Sequence, residues 1–227
     1  MVRRRTTKLN PAQIERRLQI AAARRTRMHN RLLGAAYRLF AVHGSEAPTI
    51  DDVVKEANVA RGSFYNYFQT RDELFRAVAD DMARSINSVI TRHLTGMDDP
   101  AARISLSFRV FLHFAVSDQA RGWILLRTMP LMGPLNAEMK AVIHSEFTEA
   151  LARKRFKAIS APTAVDIGLG LLIMTIQRLL VEGGGDEHID RAAEAMLVAM
   201  GMPKPEARTI ATSRLNFDDF TPVGFGA

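Results

Sequence analysis

Apolar residues in this chain recur at spacings of three and four almost from end to end, as in Leu32, Leu33, Ala36, Leu39 and Phe40, and few segments alternate with period two. A period of about 3.6 residues puts such positions on one helix face, whereas a half-buried strand needs strict alternation. The chain is therefore expected to be all-α. Glycine, proline and capping residues cut the pattern into pieces of helical length.

Asn10-Pro11 with Gln13 reads as an N-cap, a proline at the first helical position and a capping-box partner, opening a helix that reaches Val42 with or without a break near Thr26. Thr49-Ile50-Asp51-Asp52 opens a second helix of about two turns with Val53, Val54 and Ala57 on its inner face. Asn58-Val59-Ala60 is a short turn, residues 61–68 form a third helix, and Thr70-Arg71-Asp72-Glu73 is a capping box for a helix to about Leu94. Beyond the break at Gly96 to Pro100, helices are expected near 100–117, 120–129, 134–157, 162–182, 186–200 and 203–213, with a loose tail after them.

The 227 residues, 47% apolar and 24% charged, suit a small folded module joined to a larger one. Cysteine is absent, which excludes disulfides, thiolate metal sites and cysteine nucleophiles. The N-terminus lacks the apolar run of a signal peptide, and the greasiest segment, Ile167 to Leu180, is short for a membrane span and contains Gln177 and Arg178. A cytoplasmic protein without a membrane partner is expected. Residues 1–31 hold ten Lys/Arg against Glu15, a net +9, while the remaining 196 residues hold 21 basic and 23 acidic groups, a net −2. A basic block beside a near-neutral body suggests a polyanionic partner, nucleic acid before an anionic membrane surface, or else a tail that aids solubility.

Two short helices joined by a three-residue turn, with a supporting helix before them, make the pattern of a helix-turn-helix. At about 100° per residue, Phe64 and Phe68 share one face of the third helix and can pack on Val53, Val54 and Leu39. Tyr65, Gly62, Asn66, Ser63 and Tyr67 form the outward arc, and Arg61 can swing toward it. Arginine can reach guanine O6 and N7, asparagine adenine N6 and N7, and a tyrosine ring the thymine methyl, so the arc suits a DNA major groove. Thr49, Ser63, Tyr67 and Arg71 are placed for phosphates. Glycine costs a helix about 1 kcal/mol relative to alanine, so Gly62 either admits a close partner or is tolerated in the first turn.

The runs Leu33-Gly34-Ala35-Ala36-Tyr37-Arg38-Leu39-Phe40-Ala41-Val42-His43-Gly44, Thr49-Ile50-Asp51-Asp52-Val53, Val59-Ala60-Arg61-Gly62-Ser63-Phe64-Tyr65-Asn66-Tyr67-Phe68 and Arg71-Asp72-Glu73-Leu74 resemble the DNA-binding domain of the TetR family of bacterial transcriptional regulators, over about residues 27–75. The resemblance implies a basic extension at 1–26, a three-helix DNA-binding domain at 27–75 and a ligand-binding and dimerisation domain at 76–227. It further implies a sequence-specific regulator, by family habit a repressor, that binds a palindromic double-stranded DNA operator as a homodimer and answers an unknown small-molecule effector. By position, Thr49, Ser63, Tyr67 and Arg71 match phosphate contacts, and Arg61, Gly62 and Tyr65 match base-facing positions, with Asn66 beside them. Two departures stand out: Ala60 replaces a frequent capping serine, and Asp51 is acidic at a position that reads bases in some members and is expected to stay out of the groove. In the extension, Arg3, Arg4 and Arg5 suit an adjacent minor groove and Arg16, Arg17, Arg24 and Arg25 the phosphates, or the segment is a solubilising tail.

Helix 162–182 is apolar nearly all round, and with Ala164, Gly168, Gly170 and helix 186–200 it is the candidate dimer interface, or else an ordinary core helix. Candidate effector walls are Phe111, Phe114, Trp123, Met129 and Met132, and candidate anchors are His113, Arg127, Thr128, Thr175 and Gln177. The histidines fall in no metal-binding pattern and no phosphate-loop motif occurs, so neither enzyme activity nor a metal or cofactor is expected. The rival readings are a nonspecific or architectural DNA-binding protein and a membrane-surface binder.

Overall fold

The computed structural model describes residues 10–43, 48–128, 137–157 and 160–214. Ten helices follow in chain order: α1 (Pro11–His43), α2 (Ile50–Glu56), α3 (Arg61–Tyr65), α4 (Arg71–Leu94), α5 (Pro100–Val116), α6 (Gln119–Thr128), α7 (Ala137–Ala152), α8 (Ala161–Glu182), α9 (Asp186–Ala199) and α10 (Lys204–Ala211). No strand occurs among the described residues, and the fold is all-α.

The helix starts follow local chemistry. Asn10 accepts from the Ala12 amide at 3.3 Å and its own amide donates to Gln13 at 3.2 Å, the box expected ahead of Pro11. Thr49 and Asp52 close a reciprocal capping box at the start of α2. At α4, Thr70 accepts from the Glu73 amide at 3.1 Å, but Glu73 returns the bond to the amide of Gln69, one residue upstream of the expected partner, at 2.6 Å. Asp99 caps α5 ahead of Pro100, and Ser160 caps α8.

Of the two forms expected for the first helix, the unbroken one is found: α1 runs through Thr26 for 33 residues, roughly 50 Å at 1.5 Å per residue. Two expectations need correction. First, the third helix ends at Tyr65, and the amides of Tyr67 and Phe68 both donate to the Phe64 carbonyl, at 2.9 and 3.0 Å, so 66–68 is a tight turn. Second, the helix expected to reach 157 stops at Ala152, where Lys154 takes a left-handed conformation, φ 57°. Residues 129–136, where two of the expected helix ends fall, lie outside the described residues.

A single apolar cluster runs from Leu32, Ala36 and Phe40 of α1 through Phe64 and Phe75 to Ile124 of α6 and Met196, Leu197 and Ala211 near the C-terminus. A smaller one joins Ile86 and Val89 of α4 to Leu106 and Val110 of α5. Helix α4 therefore serves both ends of the molecule, and α6 packs on α1, α4, α5 and α8. By length and composition α8 is long and apolar enough to cross a bilayer, which corrects the shorter segment read from the sequence. Its inner face, Ala164, Gly168, Leu172, Thr175, Ile176 and Leu179, is buried in the bundle, while Gly170, Met174, Gln177, Arg178 and Val181 are exposed.

The crossing of α6 with α5 and α8 depends on Gly122: a Cβ there would sit 2.6 Å from Leu180 Cδ1 and 2.9 Å from the Ala115 carbonyl oxygen. The carbonyl cannot move without its helix. Gly122→Ala is accordingly expected to lower stability by about 1–3 kcal/mol, the usual range for overpacking, despite alanine's better helix propensity; urea denaturation that shows no loss contradicts this crossing.

Candidate DNA-binding surface and its link to the helical body

Core burial and a tight turn set the pose of α3. Phe64 is wholly buried and Phe68 nearly so, in the same core as Val53 and Val54 with Leu39 against it. Between α2 and α3, Asn58 adopts φ 49° and its amide donates to Lys55, while the Val59 amide donates to Val54 at 3.0 Å. Asparagine tolerates this left-handed position better than most residues, which lets a three-residue turn reverse the chain. Ala60 then starts α3 in extended conformation with no side-chain cap.

The remaining side chains face outward. A Cβ on Gly62 would meet nothing within 4 Å, so the α3 backbone is open to whatever approaches it. Tyr65 is 39% exposed and stands edge-on to Phe64, ring centroids 5.4 Å apart. Asn66 is exposed, and Ser63 and Tyr67 are half-buried. The ring of His29 in α1 lies 6.4 Å from Tyr67 and 5.2 Å from Phe68, bracing the end of α3 against α1. Arg71 lies 5.8 Å from the Phe75 ring centroid, and its Nε is 3.8 Å from Asp72.

Two sequence expectations gain detail here. Arg61 donates through one nitrogen to both oxygens of Asp51, at 2.8 and 3.1 Å, so Asp51 holds the guanidinium against the start of α2. Both groups are well exposed, and such pairs contribute about 0–1 kcal/mol, so a base or phosphate can take Asp51's place at small cost. The Thr49 hydroxyl donates to Asp52 at 2.6 Å, and together with the Thr49 amide it holds the Asp52 carboxyl below its usual range. Arg3, Arg4 and Arg5 lie outside the described residues.

Comparison with known proteins agrees with this geometry. Residues 32–78 match the model for bacterial regulatory proteins of the tetR family, and residues 99–213 match the tetracyclin repressor-like C-terminal domain. The chain belongs to the TetR family. It is 28% identical over 180 residues to the HTH-type transcriptional regulator Rv1255c of Mycobacterium tuberculosis, covering 78% of this chain and 87% of that one. It is 26% identical over 118 residues to the HTH-type transcriptional repressor KstR2 of Rhodococcus jostii, covering 48% and 58% respectively. Among solved structures, RolR in complex with resorcinol superposes with a TM-score of 0.64 at 28% identity, covering 86% of this chain and 98% of that one. This TetR-family chain is a sequence-specific DNA-binding transcriptional regulator.

The TetR-type reading domain is joined to the body by a polar contact that sequence reasoning missed. Tyr37 of α1 donates its hydroxyl to Asp118, and Asp118 also caps α6 by accepting from the Ala120 amide at 2.9 Å. Burial and the Asp118 bond push the Tyr37 hydroxyl far above its usual range. Next to it, buried Arg121 donates to Ser117 at 3.0 Å and lies 4.7 Å from the Phe114 ring centroid. Tyr37 and Asp118 are 81 residues apart, and no local pattern connects them.

Deeper in the body, Arg109 is 4% exposed, with Nε 2.8 Å from Asp190 and a second nitrogen donating to the Ser213 carbonyl at 2.8 Å. This ties α5 to α9 and to the end of α10. The helical spacing of Ser105, Phe108, Arg109 and Leu112 was the signal that Arg109 faces inward. His113, one turn on, has Nδ1 3.7 Å from Asp186, and burial pushes its ionisation below the usual histidine range.

Of the effector candidates, Phe111, His113, Phe114, Trp123 and Arg127 are half-buried on α5 and α6. Thr128 and Thr175 are buried, and the Thr128 hydroxyl is committed to the Ile124 carbonyl at 2.7 Å. Gln177 sits instead on the exposed side of α8 with Met174 and Val181, away from the bundle interior. Met129 and Met132 lie outside the described residues. Helices α5, α6 and α8 pack mutually, so the interior candidates share one part of the bundle.

The uncapped start of α3 gives a direct test. Ala60→Ser supplies the missing acceptor and is expected to raise stability by about 0.5–1 kcal/mol; equal chemical denaturation midpoints for the two proteins would refute the view that this end lacks a cap.

Proposed function

We propose that this regulator acts as a homodimer that places two α3 helices in successive major grooves of a palindromic operator, represses from there, and releases DNA when a small molecule occupies the α5–α6–α8 region. The observation that carries the reading is the division of α3: Phe64 and Phe68 are spent in the core, and Arg61, Gly62, Ser63, Tyr65, Asn66 and Tyr67 remain outward. In this reading Arg61, Gly62, Tyr65 and Asn66 face bases, and Thr49, Ser63, Tyr67 and Arg71 position phosphates. The functional division stays at residues 27–75 for DNA and 76–227 for effector and dimer, with α4 shared across it. Repression accords with KstR2's description as a repressor.

The exposed apolar strip on α8, with Ala195 and Val198 of α9, supports dimerisation, because so apolar a helix is otherwise left with one uncovered face. RolR's complex with resorcinol makes small phenolic compounds the first class to screen for effectors. The soluble regulator class accords with a cytoplasmic location.

Footprinting on the DNA upstream of its own gene tests the main claim: one protected palindrome is expected, and uniform coating at every salt concentration overturns it. Gly62→Ala separates DNA approach from folding. Its thermal midpoint is expected to hold or rise, while operator affinity falls about tenfold or more, as for loss of a good base contact; unchanged affinity removes Gly62 from the interface. For the dimer, a Met174→Arg/Val181→Arg protein is expected to elute as a monomer and lose operator binding together, and a dimeric variant would move the interface elsewhere.

A further inference from the structure

A second cationic surface adjoins α3. From residue 12 to residue 27 every side chain of α1 is exposed, about four turns of helix standing clear of the core. This segment carries Arg16, Arg17, Arg24, Arg25 and Arg27 against Glu15. Among the described residues, no carboxylate pairs with Arg17, Arg24 or Arg25.

The positions Arg17, Ile20, Ala21, Arg24, Arg25 and Met28 follow the three-and-four spacing that gathers side chains on one helix face. They line one wall of an open groove of about 710 Å³, and Asn66 and Tyr67 at the end of α3 form the other. His29, against Tyr67 and Phe68, fixes the angle between the walls. Arg31 adds a bond from α1 to the Asn58 carbonyl in the turn between α2 and α3, at 3.4 Å.

We propose that this groove seats the sugar-phosphate backbone of the operator beside the bases read by α3, with Arg17, Arg24 and Arg25 on its phosphates. The proposal rests on the reading of α3 as the DNA-contacting helix. Charge complementarity selects a polyanion. The open form of the groove suits a strand that passes through it, and Ile20, Ala21 and Met28 between the arginines offer an apolar floor to deoxyribose. Asn66 and Tyr67 belong to both surfaces, so a backbone strand leaving α3 enters the groove directly. Because the segment continues a helix anchored at Leu32, Leu33 and Phe40, the arginines are pre-positioned and lose less freedom on binding than those of a flexible arm.

The test uses the full-length protein with R17Q/R24Q/R25Q, beside Tyr65→Ala as a control on α3. Circular dichroism and thermal midpoint of the triple variant are expected to match the parent, since the sites are exposed. Its affinity for operator and for unrelated DNA is expected to fall by the same factor, about tenfold or more at low salt. The slope of log K against log salt should shrink by about 0.9 per lost contact, up to about 5 for a dimer's six arginines. Hydroxyl-radical protection should shorten at the flanks of each half-site. Tyr65→Ala should lose operator preference and keep the slope. If Tyr65→Ala behaves so but the triple variant keeps slope and footprint, the groove proposal falls and the α3 reading stands. If the parent protein shows no operator preference, the α3 reading itself fails. If the triple variant loses binding to phosphatidylglycerol vesicles with unchanged DNA binding, the arginines serve a lipid surface and the proposal is overturned.

Discussion

Burial of Phe64 and Phe68 is the constraint on which the DNA-facing end depends. Helix α3 has five residues, no side-chain cap at its start and a tight turn at its end, and an isolated helix so short has no stability of its own in water. Two aromatic side chains in the core hold it, and deleting one such ring typically costs about 3–5 kcal/mol. The same two residues fix rotation: once they face inward, the outward arc has one composition. Recognition chemistry in this chain is thus a by-product of where the core grips a helix that cannot grip itself.

The grip extends through the molecule because the core is continuous. Helix α4 packs on α1 at one end and on α5 at the other, and α6 packs on all three with Tyr37 and Asp118 joining the two parts. A hydrogen bond to a half-buried carboxylate such as Asp118 is directional and contributes about 1.5–3 kcal/mol net, whereas apolar packing alone lets surfaces slide. Movement of α6 must therefore either carry α1 with it or break that bond. Gly122 lets α6 approach α5 and α8 closely, so a change at α8 reaches α6 without slack.

How much of this was legible beforehand follows the range of the interactions involved. Caps, glycine stops and 3.6-residue periodicity act within one helix, and the residue strings at Asn10, Thr49, Thr70 and Gly96 to Pro100 placed the starts of α1, α2, α4 and α5 to within a residue or two. The inward Phe64 and Phe68 were readable for the same reason. The end of α3 at Tyr65 was not, because helical and tight-turn backbones both keep Phe68 on the inner face. The Tyr37–Asp118 joint and the Arg109–Asp190 pair connect residues about 80 apart, where no local pattern selects a partner. For effector residues, Thr128 and Gln177 illustrate the limit: composition made both plausible anchors, but one hydroxyl is committed to its own helix and the other side chain faces out.

Stability is unevenly distributed along the DNA-facing end, and the unevenness follows from capping. Helix α2 begins with a complete capping box, and α4 begins with Thr70 accepting from the Glu73 amide and Glu73 accepting from the Gln69 amide. Helix α3 between them has neither, and Arg61, its first residue, is occupied by Asp51 of the helix before it. Two rigid supports thus flank a reader whose start is soft and whose one long cation is parked on an exposed carboxylate. A DNA partner that draws Arg61 away frees Asp51 beside a phosphate-rich surface, where its charge is unfavourable. On the proposed reading, in which Arg61 faces bases, a site whose bases hold Arg61 offsets that repulsion best, so the exposed Asp51–Arg61 pair adds a small preference for the cognate site over nonspecific DNA.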